Sequence, residues 1–206
     1  MLSKRLEKIA SLVDSNEVVD IGCDHALLDI YLTQKGYTCT AIDNKESVLK
    51  LSKENIKKYN LSDKIKVILS DGLNNYNLKG NECVIIAGMG TNTILKIVKK
   101  NINTLIIQSN NDLYKLRKNI CKKGYYIDKE IAIYDKKYYN IIRFKKGHKK
   151  YNYYNYYFGL YMDNDYKNYL YNKLNKIYNK IPYKNIIKKI KYKILLIKLK
   201  HYKTSK

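Results

Sequence analysis

The 206-residue chain has no tryptophan, one proline, two phenylalanines and three histidines, and its only arginines are Arg5, Arg117 and Arg143. Each scarcity excludes something. The four cysteines, Cys23, Cys39, Cys83 and Cys121, form no Cys-x-x-Cys pair, and no histidines stand at ligand spacing. That leaves no zinc module and no disulfide framework, so the expectation is free thiols in a reducing cytosol and no metal. No apolar run approaches the length of a membrane span. Charges at Lys4, Arg5, Glu7 and Lys8 leave the first residues without the apolar core of a signal peptide. The expected setting is soluble and cytoplasmic, without membrane contact. The absence of Trp and the single Pro, with heavy use of Lys, Asn, Ile and Tyr, point to an adenine- and thymine-rich coding sequence. Part of the lysine content is then mutational drift.

What is present is enough to fold. A hydrophobic fraction of 45% supports a core and excludes a disordered chain. The formal charge of +23 is unevenly spread. Residues 1–110 hold 15 Lys/Arg against 12 Asp/Glu, a net +3, and residues 111–206 hold 26 against 6, a net +20. Drift alone would not leave one half nearly neutral, so the basic half points to a polyanionic partner.

Leu2, Leu6, Ile9, Ala10 and Val13 recur at helical spacing. A strand over 17–22 leads to a helix ending near 35, with Gly36 as its stop. Strands over 38–42 and 64–69 flank a helix marked by Val48, Leu51 and Ile56. The continuous apolar run over 83–87 is of the kind buried in a parallel sheet. A helix, a strand over 104–108 and a helix over 112–123 follow. Residues 125–134 and 137–144 then read as two strands joined at Asp135-Lys136. The expected fold is α/β: a Rossmann-like class I methyltransferase sheet with a terminal antiparallel strand pair, assigned to residues 1–148. From 149 the alternation ends in a Tyr/Lys-rich stretch. Leu170, Leu174, Ile177 and Ile181, then Ile187, Ile190, Ile194 and Ile197, form two heptad-like seams with Pro182 between them. These predict a small, basic, coiled-coil-like helical hairpin over 149–206, with Pro182 in the first turn of its second helix. Ile190 to Lys200 alternates well enough to be read as a strand instead.

The most informative stretch is Val18-Val19-Asp20-Ile21-Gly22-Cys23-Asp24-His25-Ala26, a strand entering a turn that opens a helix. Such turns bind nucleotides, because glycine admits a close ligand and the helix end offers unpaired N–H groups. A dinucleotide turn requires G-x-G-x-x-G, and here only Gly22 is present. Asp24 would repel a pyrophosphate and suits a cationic ligand such as S-adenosylmethionine; the alternative is that Asp24 only caps the helix. Asp20, Asp43 and Asp71 each fall at the C-terminal end of successive strands, the edge where open α/β sheets bind ligands. Asp43, 23 residues after Asp20, is placed to accept from ribose hydroxyls, and Asp71 to accept from an adenine amino group beside Gly72. After the fourth and fifth strands come Gly88-Met89-Gly90 and Gln108-Ser109-Asn110. Glycines there admit a flat base and the amides suit base edges, while Met89 suits packing.

Ser3-Lys4-Arg5-Leu6, Asp20-Ile21-Gly22-Cys23-Asp24-His25-Ala26, Asp71-Gly72-Leu73 and Ile86-Ala87-Gly88-Met89-Gly90 occur in this order, followed by Gln108-Ser109-Asn110 and Lys123-Gly124-Tyr125. Together, over about residues 2–145, they resemble the bacterial tRNA (adenine-22)-N1 methyltransferases. The resemblance implies S-adenosylmethionine as donor, N1 of an adenosine in the tRNA D-arm region as acceptor, and a C-terminal helical hairpin. It implies a donor site at Asp20, Gly22, Cys23 and His25, then Asp43, Asn44, Asp71 and Gly72, then Ala87 and Gly88. Acceptor contacts would come from His25, Met89, Gly90, Gln108 and Asn110. The chain departs from the family at Ser109, where proline is usual, and at Thr91, where a third glycine is common. Adenine N1 has a free lone pair at neutral pH, so positioning and exclusion of water suffice. Asp24 is the candidate to stabilise the charge that methylation puts on the ring. The expected partner is tRNA and the expected state a monomer. A non-catalytic RNA-binding protein on the same scaffold, or a methyltransferase with another RNA target, are the alternatives.

Overall fold

The computed structural model describes residues 2–99 and 101–203. In chain order it holds α1 (Lys4–Ala10), β1 (Glu17–Ile21), α2 (Leu27–Gln34), β2 (Thr38–Asp43), α3 (Glu46–Lys58) and β3 (Ile65–Leu69). Then come β4 (Cys83–Met89), α4 (Thr91–Ile97), β5 (Thr104–Ser109), α5 (Leu113–Lys122), β6 (Tyr125–Asp135) and β7 (Lys137–Lys146). Three helices follow: α6 (Tyr153–Phe158), α7 (Asn164–Lys180) and α8 (Ile186–Lys200).

The seven strands form one sheet in the order β3-β2-β1-β4-β5-β7-β6. The first five are parallel, and β7 runs antiparallel to both β5 and β6. Strand order reverses between β1 and β4, which opens a crevice at their carboxyl ends. Both sheet faces are covered. Val18 of β1 joins Ile9, Leu28, Ile30 and Ile56 on one face, while Val19 and Ile21 join Ile94, Leu116 and Ile120 on the other. Burial on both faces is why β4 and β5 read as unbroken apolar runs. The hairpin turn falls at Lys136, in the left-handed region at φ 62°.

The C-terminal part is helical, and α7 packs against α8, but three details differ from expectation. The Tyr-rich stretch after 149 is not patternless: Asn152 and Asn155 cap each other and start α6, whose Phe158 is buried. Pro182 lies in the connection before Asn185 caps α8, not in the first turn. The isoleucine seam faces solvent, with Ile187 87% exposed and Ile190, Ile194 and Ile197 also exposed. The buried face of α8 is Leu195, Leu196 and Leu199, packed with Phe158, Met162, Tyr166 and Leu174. At 100° per residue the two sets lie on opposite sides of α8 with lysines between them, so spacing alone could not choose between them. The alternative strand reading of 190–200 also falls, since these residues are helical.

The C-terminal helices are joined to the sheet by a buried ion pair. Arg117 of α5 is fully buried and its Nε donates to Glu130 Oε1 at 3.0 Å, with Nη2 on the same oxygen. Arg117 Nη1 donates to the carbonyl of Tyr156 in α6 at 2.9 Å, and the amide of Leu160 donates to Glu130 Oε2 at 3.2 Å. Gly159 (φ 93°) presses against this carboxylate, and a Cβ there would stand 2.6 Å from Glu130 Oε2. Removing one member of such a pair strands the other charge in the core. Arg117→Ala is expected to cost about 3–5 kcal/mol in urea unfolding. A loss under about 1 kcal/mol would show that the pair is not holding α6 to the sheet.

Candidate active site

The site begins where β1 stops. Ile21 pairs with Ile42 and Ile86, so the chain must leave the sheet between two neighbours. It does so through Gly22 at φ 81°. The amides of Gly22 and Cys23 both donate to the carbonyl of Ile42, at 2.8 and 3.1 Å. That φ favours glycine, and Met89 Cε packs where a Cβ would stand, 2.3 Å away.

Asp24 (φ 51°) and Ala26 (φ 55°) are also left-handed. Ala26 is the N-cap of α2 and offers no side-chain bond. Asp24 is therefore not the helix cap. Its side chain is 76% exposed at the cleft mouth, with Oδ1 3.6 Å from Nε2 of His25. A left-handed aspartate costs energy unless its surroundings impose it. Here α3 does so: the hydroxyl of Ser52 donates to the Asp24 carbonyl at 2.5 Å, and Asn55 Nδ2 donates to the His25 carbonyl at 3.1 Å. Neither residue was a candidate from sequence, although their separation of three puts both on one helix face.

The loops after β4 and β5 are locked together. Gln108 is 1% exposed. Its Oε1 accepts from the amide of Gly88 at 3.1 Å and from Nη1 of Arg5 at 2.8 Å, and its Nε2 donates to Asn110 Oδ1 at 3.1 Å. Asn110 in turn donates to the Gly88 carbonyl at 2.6 Å. Gln108 thus sits beneath the loop as a brace, while Asn110 is the exposed amide. Ser109 and Thr91, the two departures from the family pattern, share a hydroxyl contact of 2.9 Å below the loop. Arg5, not a candidate from sequence, lines the cleft and lies over Tyr139 at 5.5 Å.

Asp20, Gly22, Cys23, Asp24 and His25 meet Ala87, Gly88 and Met89 around one cleft of about 300 Å³. Asp43, Asn44, Asp71 and Gly72 stand beside it at the ends of β2 and β3. There the Ser70 amide donates to the Asp43 carbonyl at 2.9 Å, and Asp43 Oδ1 accepts from the Lys45 amide at 3.0 Å. Gly72 packs on Ile97, where a Cβ would stand at 3.1 Å. Gly90 caps α4 next to Asn111.

The cleft holds two carboxyls, of Asp20 and Asp24, and the guanidinium of Arg5. Burial pushes the Asp20 carboxyl up to about 7, with Asp43 adding to the rise and Arg5 opposing it. Asp29 of α2 is fully buried, and neither oxygen makes a well-formed hydrogen bond among the described residues. Burial and then Asp20 hold it well above the usual carboxylate range, its own amide offsetting this only slightly. Burial also pushes the Cys23 thiol up, so Cys23 is not a thiolate here.

The pH consequence follows from the sign. Folded Asp29 keeps a proton that the unfolded chain releases above about pH 4, so its contribution to stability falls as pH rises through that window. Asp29→Asn removes the titration. The stability difference, variant minus wild type, should grow with pH between 5 and 7 at up to about 1.4 kcal/mol per unit in urea unfolding. A difference independent of pH would mean Asp29 ionises alike in both states.

Residues 2–142 match the family described as "Methyltransferase domain". A provisionally named tRNA methyltransferase of Mycoplasma genitalium is 33% identical over 145 residues, 66% of each chain, so the chain spans about two thirds of that relative's length. The solved structure of M. capricolum TrmK, in complex with S-adenosyl-homocysteine, is 32% identical with a TM-score of 0.84, covering 98% of this chain and 97% of that one. A Streptococcus pneumoniae protein provisionally named a tRNA (m1A22) methyltransferase, in complex with S-adenosyl-L-methionine, is 25% identical with a TM-score of 0.86, covering 98% and 99%. With the sheet order, the glycine turn and the acidic cleft described above, the chain belongs to the methyltransferase-domain family and, within it, to the TrmK family.

Proposed function

We propose that the protein transfers a methyl group from S-adenosylmethionine to N1 of adenosine 22 in tRNA. The observation that carries this is the set of aspartates at successive strand ends around the glycine turn. Asp20 and Asp24 line the cleft together with Arg5, and Asp43 and Asp71 stand at the ends of the neighbouring strands β2 and β3. Such a site offers acceptors for an ammonium and for ribose hydroxyls, and it lacks the G-x-G-x-x-G glycines of nicotinamide-binding turns.

S-adenosylmethionine supplies an electrophilic methyl group. Asp20 would hold its amino-acid end, Asp43 its ribose and Asp71 its adenine. The chain's other task is to present adenine N1 in line and keep water out. Gly88 and Gly90 leave room for a flat ring, and the brace of Gln108, Arg5 and Asn110 fixes that opening. Asp24, exposed and forced into its left-handed turn by α3, would stabilise positive charge on the methylated ring. The M. capricolum and S. pneumoniae complexes with the demethylated product and the donor support this reading. The net +20 of residues 111–206 supports tRNA as the partner.

Two variants test it. Asp43→Ala should weaken donor binding roughly ten- to a hundredfold in calorimetry, the loss of a charge-assisted hydrogen bond worth about 1.5–3 kcal/mol. Unchanged donor affinity, or tighter binding of NAD to the wild type, would refute the donor assignment. Asp24→Asn keeps the shape of the turn but removes the charge, and turnover should fall by roughly tenfold or more, at least ~1.4 kcal/mol, with tRNA affinity near normal. Turnover within about threefold of wild type would remove Asp24 from the chemistry.

A further inference from the structure

A second cleft, of about 310 Å³, opens on the other side of the β5–α5 loop, between Ser109–Asp112 and the C-terminal helices. Asn110 belongs to both places: it donates to the Gly88 carbonyl at the first cleft and lines the second. A strand that lays one base against Gly88 would therefore continue across Asn110 into this groove.

The groove has the chemistry for that strand. Tyr138 of β7 and Tyr169 of α7 stand with ring centroids 4.5 Å apart, and Tyr169 is 37% exposed. Both rest on Tyr166, which is 5% exposed and fixed by a 2.8 Å bond from Asn140 Nδ2 to its hydroxyl. The rings are thus held in place before any base arrives, which lowers the ordering cost of stacking. Lys173, one helical turn beyond Tyr169, lines the groove with its ammonium 5.9 Å from that ring. Among the acidic groups nearby, Asp112 caps α5 by accepting from the Lys115 amide at 3.1 Å, and Asp163 caps α7 by accepting from the Tyr166 amide at 2.7 Å. Asp163 and Asp165 lie at the start of α7, so the groove is acidic at that end and basic at Lys173.

We propose that this groove is the track for the tRNA nucleotide flanking the acceptor adenosine, with Tyr138 and Tyr169 as its stacking surface and Lys173 as its phosphate contact. The proposal rests on the methyl-transfer reading above and adds which tyrosines meet the RNA. Aromatic platforms with a neighbouring cation are how single strands are held without reading sequence. The acceptor base must leave its stack to be modified, and its neighbour then needs a new surface to stack upon.

The test is affinity for an unmodified tRNA transcript, measured against salt, with donor binding as the check of folding. Tyr169→Ala should weaken tRNA binding about 5- to 150-fold, the range for losing one stacked base, while Tyr169→Phe stays near wild type. Lys173→Gln should flatten the log–log salt slope by about 0.7–0.9, one phosphate contact. Tyr183→Ala, outside the groove and 86% exposed, should change nothing. Should Tyr169→Ala lose its fold, Tyr169→Leu, which keeps apolar bulk without a flat ring, and Lys173→Gln decide. Wild-type affinity and slope in the groove variants overturn the track while leaving methyl transfer by the wild type intact. A wild type that binds tRNA through the groove yet transfers no methyl group overturns the functional reading and not the track.

Discussion

One backbone carbonyl, that of Ile42, holds the turn on which the site depends. It accepts from the amides of both Gly22 and Cys23, so β1 ends in a bend pinned to its neighbour. Gly22 suits the turn because its φ of 81° is one that side chains strain to adopt, and Met89 Cε packs on it, which couples the β1 turn to the β4 loop. The β4 loop is coupled to β5 through Gln108 and Asn110. Strain in the left-handed Asp24 is tolerated because Ser52 and Asn55 hold the turn from α3. The result is a cleft whose shape is fixed before any ligand enters, as charge stabilisation requires.

In a chain where lysine dominates, Arg117 and Arg143 each use the forked guanidinium to reach a carboxylate and a backbone carbonyl at once. Arg5 braces Gln108 at the cleft. Arg117 joins Glu130 to the carbonyl of Tyr156 and so ties the C-terminal helices to the sheet. Arg143 spans Asp128 at 2.7 Å and the carbonyl of Leu12 at 2.8 Å, fixing the segment after α1. The lysines, by contrast, are mostly exposed. That division separates charge used to build the fold from charge left for a polyanion.

Much of this was legible in the sequence. Apolar runs bounded by glycine and aspartate marked the parallel strands, since burial on both faces leaves no polar alternation to confuse them. The hairpin was legible from its turn, and the acidic strand ends pointed to the edge that holds the cleft. Whether Asp24 merely caps α2 was not legible, because a cap and a cleft residue occupy the same position in the turn; Ala26 takes that place. Arg5, Ser52 and Asn55 were missed for one reason: each reaches the site from a different element, so no local spacing reveals it. The α8 seam was misjudged because two opposite faces of one helix carry apolar residues at compatible spacing, and tertiary packing chose the leucines. Gln108 looked like a base-edge contact from its loop position, yet its burial makes it a brace.

Methyl transfer to adenine N1 of tRNA is the chemistry proposed for this glycine-floored cleft. Its most direct measurement is mass spectrometry of nucleosides from an unmodified tRNA transcript incubated with the protein and isotopically labelled S-adenosylmethionine. Labelled 1-methyladenosine is the expected product, lost when adenosine 22 is replaced. Label in another nucleoside, or 1-methyladenosine that survives the replacement, would contradict it.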